Sequence, residues 1–502
     1  MEKQIFNPYL PEYEYIPDGE PHVFDGRIYL YGSHDRFDGK KFCLNDYVCY
    51  SADIHDLTDW RYEGVIYTRK QDPRTAGGGH ELWAPDVVQG KDGRYYLYYC
   101  PDGTIPTIGV AVCDTPAGKY KFLGIVKDKK GSFIGERPGD TIQFDPGVFM
   151  DEDGTIYLYS GNGPRTKREI GKEPKASVVM TLEDDMVTIR TEPKKLLPAL
   201  GEAEGTGFEK HEFFEASSIR KIKGKYYLIY SSANLHELCY AVSDYPDRNF
   251  RYGGVLISNC DSFTEEQAFK EMDTGNTVSD QRRKTRRNPF TAEKKNCFGN
   301  NHGGIEKIGD HWYIFYHRQT NRTMFSRQGC AEKITILEDG TIPQVEMTSQ
   351  GLTGKPLMGK GTYSAAIACN LYGKYPPAIS HPLAMGKKHP YITQSGPDTE
   401  PDAVGEKPYQ YIKNGKNGMT AVFRYFRMEK VKKIGVIVRG NMRGKLVIRT
   451  ESNGNPVGEI LLRPSKTWKQ VQAQVMIPDG IHELVFTFEG KGKLDFKKFA
   501  LD

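Results

Sequence analysis

The chain has 502 residues, of which 38% are hydrophobic and 27% are charged, and its formal net charge at pH 7 is +4. A charge this close to zero does not give the basic field that nucleic acids or anionic membranes require, and no apolar run reaches the length of about 18 residues that predicts a membrane span. The 31 tyrosines, 24 phenylalanines, 53 glycines and 29 prolines are typical of many short strands joined by tight turns. We therefore expect an all-β protein with more than one domain, no nucleic-acid partner and no membrane span.

The amino terminus and the cysteines leave the cellular compartment open. The first residues, MEKQIFNPYLP, lack the apolar core of a signal peptide, so we expect either a cytoplasmic protein or a periplasmic or secreted one whose leader was removed. The nine cysteines are scattered, odd in number and without the spacing of a zinc site. This pattern predicts buried free thiols and leans toward a reducing compartment.

An internal repeat predicts the architecture of the first two thirds of the chain. Each copy is an apolar or small run, a turn with glycine and an aromatic strand. The five copies lie at 18–35, 83–100, 144–161, 214–232 and 301–318. Their aromatic anchors are Tyr29, Tyr96, Tyr157, Tyr227 and Tyr313, and their turn glycines are Gly26, Gly93, Gly154, Gly224 and Gly309. Spacings of about 60 to 85 residues leave room for one four-stranded propeller blade per copy, so we predict a five-bladed β-propeller over residues 1–350.

The repeat ends before residue 360, and seven short alternating segments follow it. At this spacing they predict a β-sandwich over residues 360–502. The basic run QRRKTRRN at 281–288 is predicted to be a solvated loop. The long segment 261–300 around it is predicted to shape the rim of the central pocket.

Functional side chains recur at one position of the repeat. In a propeller the first strand of each blade lines the central channel, so residues just ahead of each hairpin are predicted to meet in one axial pocket. These residues are Asp18 with Glu20 close by, Trp83, Asp86, Asp145, Glu215 and His302. Small or apolar neighbours flank the acids, which predicts partial burial and pKa values that differ from one acid to the next.

Two facing carboxylic acids in a partly dry pocket suit the cleavage of a glycosidic bond. One acid can protonate the leaving oxygen while the other activates water, and a third carboxylate can raise the pKa of the first. Trp83 suits stacking on a sugar face, and Arg318 could hold ring hydroxyls. We therefore predict that substrate is bound by Trp83, Asp86, His302 and Arg318.

Residues 5–345 resemble glycoside hydrolase family 43. The resemblance rests on the opening NPYLP…PDGEPHVF and on WAPDV, FDPGVFMDEDG, FFEASSIRKIKGKYYLIYS and NHGG…WYIFYHR together. It implies a five-bladed propeller that hydrolyses with inversion, with Asp18 as general base, Asp145 as pKa modulator and Glu215 as general acid. It implies no cofactor for the chemistry. His302 matches an axial histidine that in many members faces calcium or water, so His302 is also a candidate metal ligand and a structural calcium ion in the channel is an option.

Two parts of the resemblance leave alternatives open. Much of the family has Asp-Pro-Ser-Val where this chain has DGEPHV, so either Asp18 or Glu20 could be the base, and we favour Asp18. The C-terminal part resembles a carbohydrate-binding module of family 6 through KLVIRTESNGNPVGEILL, TWKQVQ and DGIHELVFTFEGKGKLDFKKF. Such a module could bind sugar or only brace the propeller.

The expected function is release of a terminal pentose from plant polysaccharides or oligosaccharides, with α-L-arabinofuranose ahead of β-D-xylose. Galactan-cleaving or arabinan-cleaving hydrolysis on the same fold is the first alternative, and it leaves exo or endo action open. A noncatalytic sugar-binding propeller would have no reason to supply three acids in phase. A retaining fructan or sucrose hydrolase would need the Asn-Asp-Pro-Asn-Gly signature, which this sequence lacks.

Overall fold

The structure, a computed structural model, describes residues 4–172, 174–263, 296, 299–374 and 389–502. Within these ranges the regular structure consists of 31 β-strands and three short 3-10 helices at Arg69–Gln71, Gly351–Thr353 and Ala365–Ile367. None of the helices in this part of the chain has the length and hydrophobicity to span a membrane. The all-β class predicted from composition is confirmed.

The first 19 strands form five antiparallel sheets, which we call blades one to five. Blade one contains β1 (Glu20–Phe24), β2 (Arg27–Tyr31), β3 (Tyr47–Asp53) and β4 (Asp56–Tyr67). Blade two contains β5 (Leu82–Gln89), β6 (Tyr95–Pro101), β7 (Gly109–Cys113) and β8 (Lys121–Ile125). Blade three contains β9 (Gly147–Met150), β10 (Ile156–Gly161), β11 (Ser177–Leu182) and β12 (Lys194–Lys195).

Blades four and five complete the ring. Blade four contains β13 (Phe213–Ile222), β14 (Lys225–Ser232), β15 (Glu237–Ser243) and β16 (Arg251–Ser258). Blade five contains β17 (Ile305–Ile308), β18 (His311–Gln319) and β19 (Arg327–Ile334). The first strands contact one another in a closed circle, because β5 contacts β1 and β9, β13 contacts β9 and β17, and β17 contacts β1. The five sheets therefore form the predicted five-bladed propeller.

The repeat has the predicted local structure. The five turn glycines join the first and second strands of their blades and all have positive φ, between 57° and 79°, which side chains with a Cβ adopt at a cost. The aromatic anchors lie on the second strands, where all but the half-buried Tyr157 are buried. Aromatic and β-branched side chains on these strands fill the space between neighbouring blades.

Blade five differs from the expectation of four strands, because the described residues form only three. The N-terminal segment lies along the outer edge of β19 in place of a fourth strand. The side-chain amide of Asn7 accepts at Oδ1 from the backbone N–H of Ala331 at 2.9 Å and donates from Nδ2 to the backbone oxygen of Ala331 at 3.0 Å. It also donates to Glu332 Oε1 at 2.8 Å and to the Thr348 oxygen at 3.1 Å. The buried side chain of Asn7 thus satisfies backbone N–H and C=O groups that β19, as the edge strand, would otherwise leave unpaired.

The remaining strands form two six-stranded sheets packed face to face. The first contains β20 (Leu357–Met358), β22 (Asn370–Tyr372), β25 (Thr420–Met428), β27 (Arg443–Arg449), β28 (Gly458–Leu462) and β30 (Gly480–Lys491). The second contains β21 (Gly361–Ser364), β23 (Tyr391–Gln394), β24 (Gln410–Gly415), β26 (Lys433–Gly440), β29 (Ser465–Gln474) and β31 (Leu494–Leu501). Phenylalanines from both sheets meet between them, as Phe423 and Phe499 do with ring centroids 4.7 Å apart. The seven predicted strands correspond to β25–β31, and the sequence pattern missed β20–β24.

Arg424 on β25 joins the sandwich to the propeller. Its side chain is fully buried and donates to Asp261 Oδ2 at 2.9 Å and to Glu483 Oε2 at 3.3 Å. Asp261 belongs to the propeller side and Glu483 to β30 of the sandwich. A buried guanidinium needs such acceptors, so this contact ties the two parts to a defined relative position.

Two predictions from the sequence, on the cysteines and on the segment 261–300, concern residues that the structure describes only in part. The eight cysteines in the described ranges are free, seven of them buried, as predicted, and the ninth, Cys297, lies outside the described residues. The basic run 281–288 and most of the segment 261–300 also lie outside the described residues.

The edge contact of Asn7 leads to a stability prediction. Asn7→Ala removes the groups that pair with Ala331, Glu332 and Thr348 and leaves buried polar atoms without partners, so we expect a loss of about 2 to 4 kcal/mol in the free energy of unfolding. Urea unfolding followed by tryptophan fluorescence measures it. Asn455→Ala, at an exposed position of the sandwich, is the matched control. Equal midpoints for the two variants would contradict the edge-closing role of Asn7.

Candidate active site

A pocket opens where the innermost strands of the five blades begin. It encloses about 590 Å³ of atom-free space, counted together with its mouth. Asp18, Asp145 and His302 lie just ahead of β1, β9 and β17, and Trp83 and Glu215 lie in the first residues of β5 and β13. All five side chains line this pocket, so five residues that are far apart in sequence meet at one place.

The backbone beside these residues departs from strand geometry. The φ angles are 56° at Asp18, 45° at Asp145, 39° at Ala84 and 68° at Ala216. Non-glycine residues adopt this left-handed region only where their surroundings hold them, and such positions cluster at functional sites. The same distortion recurs at the pocket end of blades one to four.

Bulges in two blades turn the side chains toward the pocket. The pairing of β5 with β6 shifts between Trp83 and Asp86, and the pairing of β13 with β14 shifts on both sides of Glu215. A bulge adds a residue on one strand and re-aims the side chains next to it. Trp83 and Glu215 thereby face the pocket instead of the spaces between blades.

Asp18 is held in its ionised form. Arg327 donates from Nη1 to Asp18 Oδ1 at 2.8 Å, and His317 Nδ1 lies 3.2 Å from the same oxygen. Burial by itself would raise the pKa of Asp18, but the Coulombic attraction of Arg327 outweighs it and holds that pKa well below its usual range. Asp18 therefore carries a negative charge throughout the neutral pH range.

Neighbouring residues fix Arg327 and His317 in turn. Arg327 forms a two-pronged pair with Asp35, with Nε 2.9 Å from Oδ2 and Nη2 3.0 Å from Oδ1. His317 donates from Nε2 to the Asn300 carbonyl at 2.7 Å and accepts from the backbone N–H of Asp18 at Nδ1 over 3.3 Å. Burial lowers the pKa of His317. This imidazole is therefore neutral, with its proton on Nε2, and Arg327 is the cation that faces Asp18.

Glu215 is held in its protonated form. Burial first, and then the charge of Asp145, raise the pKa of Glu215 to about 8. Its hydrogen bond comes from a neutral group, because Asn162 donates from Nδ2 to Glu215 Oε2 at 3.2 Å. At neutral pH this carboxyl can give a proton to a bound molecule.

Asp145 pairs with the pocket's histidine. His302 Nδ1 lies 3.4 Å from Asp145 Oδ2. Burial by itself would lower the pKa of His302, but Asp145, and after it Asp18 and Glu20, raise it to about 9. The imidazolium of His302 thus offsets part of the negative charge that the carboxylates place in the pocket.

One side of the pocket is apolar and aromatic. Trp83 makes edge-to-face contacts with Phe42 and Phe144, in both cases with ring centroids 5.7 Å apart. Met324 and Leu235 extend this lining. A flat aromatic wall opposite several acids suits a sugar ring, which has apolar faces and hydroxyls at its edge.

The structure contradicts the substrate-binding prediction for Asp86. Its carboxylate is completely buried outside the pocket lining. Oδ2 accepts from the backbone N–H of Val148 at 2.7 Å, and Oδ1 lies 2.6 Å from His22 Nε2. The bulge that turns Trp83 into the pocket leaves Asp86 between blades, where it links blades one, two and three.

The substrate-binding prediction for Arg318 is also contradicted. Its guanidinium donates to the backbone oxygens of Ala368 at 3.0 Å and Ala366 at 2.7 Å, on the side of the sandwich. Successive residues of a strand point to opposite faces, so on β18 His317 faces Asp18 and Arg318 faces away from it. Arg318 lies outside the lining of this pocket.

Glu20, the alternative to Asp18, lies deeper in the propeller. It is buried and outside the pocket lining, and its Oε2 accepts from Ser218 Oγ at 3.0 Å. Burial, followed by the charge of Asp86, raises its pKa to about 7. Of the two acids only Asp18 reaches the pocket.

Among the residues that the structure describes, His302 belongs to no group of three or more His, Cys, Asp or Glu side chains close enough to share a metal ion. Calcium takes six to eight oxygen ligands. In the described ranges the groups near enough to share a metal are Glu20, His22 and Asp86 or His211, Glu237 and Cys239. Neither contains His302, and both oxygens of Asp86 already accept hydrogen bonds.

Sequence reasoning missed several residues of the pocket. Arg327, Phe42, Asn162 and the exposed Arg165 all contact or line it. The sequence did contain a signal for Arg327. It begins a strand whose other residues are predicted to be buried, and a buried guanidinium requires an acidic partner. Phe42 and Asn162 lie on loops with no repeated pattern.

The propeller and the buried acids at its axis are those of a hydrolase acting on carbohydrate. Residues 16–342 match the glycosyl hydrolases of family 43. A xylosidase/arabinosidase from Thermoclostridium stercorarium is 49% identical over 504 residues, which cover 100% of this chain and 99% of that protein. An arabinoxylan arabinofuranohydrolase from Paenibacillus polymyxa is 27% identical over 520 residues, covering 94% of this chain and 70% of that protein.

Among solved structures, a GH43_1 enzyme from Xanthomonas citri has the same fold. The TM-score is 0.51 with 24% identity, and the match covers 68% of this chain and 94% of that one. The chain therefore belongs to glycosyl hydrolases family 43 and is a glycosidase, as its sequence predicts. The resemblance of the C-terminal part to a carbohydrate-binding module of family 6 stays a prediction.

Proposed function

We propose that this glycosidase releases a terminal pentose from plant-derived oligosaccharides or polysaccharides with inversion at the anomeric carbon. α-L-Arabinofuranosyl groups are the preferred substrates and β-D-xylosyl groups the second. The single observation that carries the proposal is the different pairing of two acids in one pocket, Asp18 with the cation Arg327 and Glu215 with the neutral amide of Asn162. An acid and a base of opposite protonation are what single-step glycoside hydrolysis requires.

Glu215 is the general acid in this proposal. Its proton goes to the glycosidic oxygen as the bond to the anomeric carbon breaks, so the leaving group departs as an alcohol. The raised pKa keeps the proton available at neutral pH. Asn162 orients the carboxyl through its hydrogen bond to Oε2.

Asp18 is the general base. It takes a proton from a water molecule, whose oxygen forms the new bond to the anomeric carbon on the face opposite the leaving group. Arg327 keeps Asp18 ionised and restricts its orientation through Oδ1. After product release, Asp18 loses a proton to solvent and Glu215 regains one.

Asp145 modulates the acid. Its charge raises the pKa of Glu215, and His302 beside it limits the net negative charge. During the reaction positive charge develops on the sugar ring, and the carboxylates of Asp145 and Asp18 stabilise it electrostatically. The chemistry uses only these side chains and water.

The pocket supports a substrate with one sugar ring enclosed. Trp83, Phe42 and Phe144 offer an apolar wall, and Arg165 lies at an exposed position of the lining. The name of the full-length relative from Thermoclostridium stercorarium includes both sugars, which supports testing arabinosides and xylosides side by side. A pocket lined on several sides favours exo action on chain ends or side branches.

Product stereochemistry tests the proposal directly. Incubation with 4-nitrophenyl α-L-arabinofuranoside and β-D-xylopyranoside should release free pentose from both, faster from the arabinoside. Proton NMR within the first minutes should show the anomer opposite to that of the substrate, before mutarotation mixes the two. Initial formation of the retained anomer would contradict the roles given to Asp18 and Glu215. The heat-inactivated protein is the control.

Removal of the acid should depend on the leaving group. Glu215→Gln should lower kcat/KM on xylo- or arabino-oligosaccharides by about 10²- to 10⁴-fold, because the alkoxide then leaves without a proton. The loss should be much smaller on 2,4-dinitrophenyl pentosides, whose phenolate leaves unaided. Glu212→Gln, three residues earlier and outside the pocket lining, is the matched control. Equal losses on both substrate types would refute the acid role.

The pH profile should report the same group. Since Glu215 must be protonated, kcat/KM on oligosaccharides should decline above about pH 8, the pKa of its buried carboxyl. Asn162→Ala removes a donor that favours the ionised form, so the pKa of Glu215 rises and the alkaline limb moves to higher pH. Dinitrophenyl pentosides should not show this limb. An alkaline limb at the same pH in the Asn162 variant would contradict the assignment.

A further inference from the structure

Two loops of the propeller form one wall of the pocket, and we call them the wall loops. The first, residues 32–46, joins β2 to β3 and carries Phe42 and Cys43. The second, residues 320–326, joins β18 to β19 and carries Met324. They pack on each other, with the rings of Phe42 and Phe325 4.7 Å apart.

The wall loops have an unfavourable backbone conformation. The φ angles are 57° at Asp38, 56° at Cys43, 49° at Asn321 and 53° at Arg322, all in the left-handed region and none at glycine. Residues keep such angles only when surrounding contacts hold them. The shape of these loops therefore depends on the hydrogen bonds that hold them, both within the loops and from the sandwich.

One carboxylate of the sandwich bonds both arms of the first wall loop. Asp398 follows β23, and its Oδ1 accepts from the backbone N–H of Phe37 at 2.7 Å. Its Oδ2 accepts from Asn45 Nδ2 at 3.1 Å. Phe37 and Asn45 lie on either side of Phe42 and Cys43 in the sequence, so Asp398 brackets the part of the loop that lines the pocket. Bonds to an ionised acceptor are among the stronger hydrogen bonds in proteins.

The second wall loop is bonded to the same segment of the sandwich. The backbone N–H of Asn321 donates to the Ile392 carbonyl at 2.8 Å, and Thr393 donates from Oγ1 to Asn321 Oδ1 at 2.8 Å. Asn321 also donates to Asp38 Oδ1 at 3.0 Å, which links the two loops. Residues 392–398 thus hold both wall loops in register.

We propose that Asp398 is a positioning residue that sets how tightly the pocket binds its sugar, through the wall loop that carries Phe42. This inference rests on the proposed function for its substrate, and on geometry alone for the loop contact. Loss of Asp398 removes the acceptor for both arms of this loop, so Phe42 is held less firmly beside Trp83. Asp18, Asp145 and Glu215 stay on their own strands, so binding weakens more than the chemical step.

Kinetics of Asp398→Ala and Asp398→Asn separate positioning from general stability. For the alanine variant we expect KM on 4-nitrophenyl α-L-arabinofuranoside to rise about tenfold with kcat within about threefold of the wild type. The asparagine variant retains one acceptor and should give a smaller rise. Asp495→Ala is the matched control, because Asp495 on β31 of the sandwich also accepts two hydrogen bonds, from Arg439 and the backbone N–H of Asn414, and lies outside the pocket lining. It should leave KM unchanged.

Hydrogen exchange tests the contact without reference to activity. In the full-length Asp398→Ala protein the peptide containing Phe37 should lose protection, because its amide has lost its acceptor. The amide of Asn321, bonded to the Ile392 carbonyl, should remain protected and serves as an internal reference. Unchanged exchange at 36–44, or faster exchange with a KM within twofold of the wild type, would overturn the positioning role. If the wild type hydrolyses no pentoside, the proposed function fails, while exchange still decides whether Asp398 holds the loop.

Discussion

Three carboxyl groups share one buried pocket, and their mutual repulsion is the constraint on which the site depends. Asp18, Asp145 and Glu215 cannot all be ionised there unless cations balance them, because burial disfavours each charge. Arg327 balances Asp18, and the imidazolium of His302 lies beside Asp145. In the described part of the chain the side chain that donates to Glu215 is the neutral amide of Asn162, and burial together with the charge of Asp145 keeps its proton on. The difference in chemical role follows from which partner each acid has.

The propeller provides these partners from opposite sides of the ring. Asp18 belongs to blade one and its cation, Arg327, to blade five, so closure of the ring brings the pair together. The N-terminal segment that contains Asn7 pairs with β19, the strand that begins at Arg327. The strand β19 therefore carries both the edge that Asn7 covers and the cation that faces Asp18. Bulges and left-handed residues at the strand starts then direct the acids inward.

Much of this architecture could be predicted from the sequence, because a repeated local pattern encodes a repeated structure. The turn glycines and aromatic anchors located the hairpins, and their common phase placed Asp18, Trp83, Asp145, Glu215 and His302 in one pocket. Strands β20–β23 have two to four residues each, too few to show an alternation, whereas β24 is buried at all but one of its six positions and so shows no alternation either. The expected fourth strand of blade five was wrong for the described residues, because a side-chain amide covers that edge.

The errors at the site have a different cause. Asp86 was predicted at the pocket because it lies, like Trp83, just ahead of its blade's hairpin, but a bulge separates the directions of the two side chains. Arg318 was predicted to hold ring hydroxyls, but adjacent strand residues face opposite sides and the neighbouring His317 is the one that faces Asp18. A repeat of one blade predicts the position of a residue to within a few places along the chain, but it does not predict the direction of its side chain.

The contacts that shape the pocket wall join segments hundreds of residues apart. Asp35 meets Arg327 and Phe37 meets Asp398, and neither pair has a local sequence signature. Buried hydrogen bonds between Tyr15 and Gln394, and between Gln410 and Gln328, continue the same interface. The sandwich therefore also has a structural role in the pocket. It holds the wall loops, whose left-handed residues are in an intrinsically unfavourable backbone conformation. Because the sandwich holds these loops, residues other than glycine can occupy left-handed positions that glycine adopts at lower energetic cost. Cys43, which lines the pocket, is one of them. The same side chains then line the pocket, which is why the order of the wall and the fit of the sugar depend on one set of contacts.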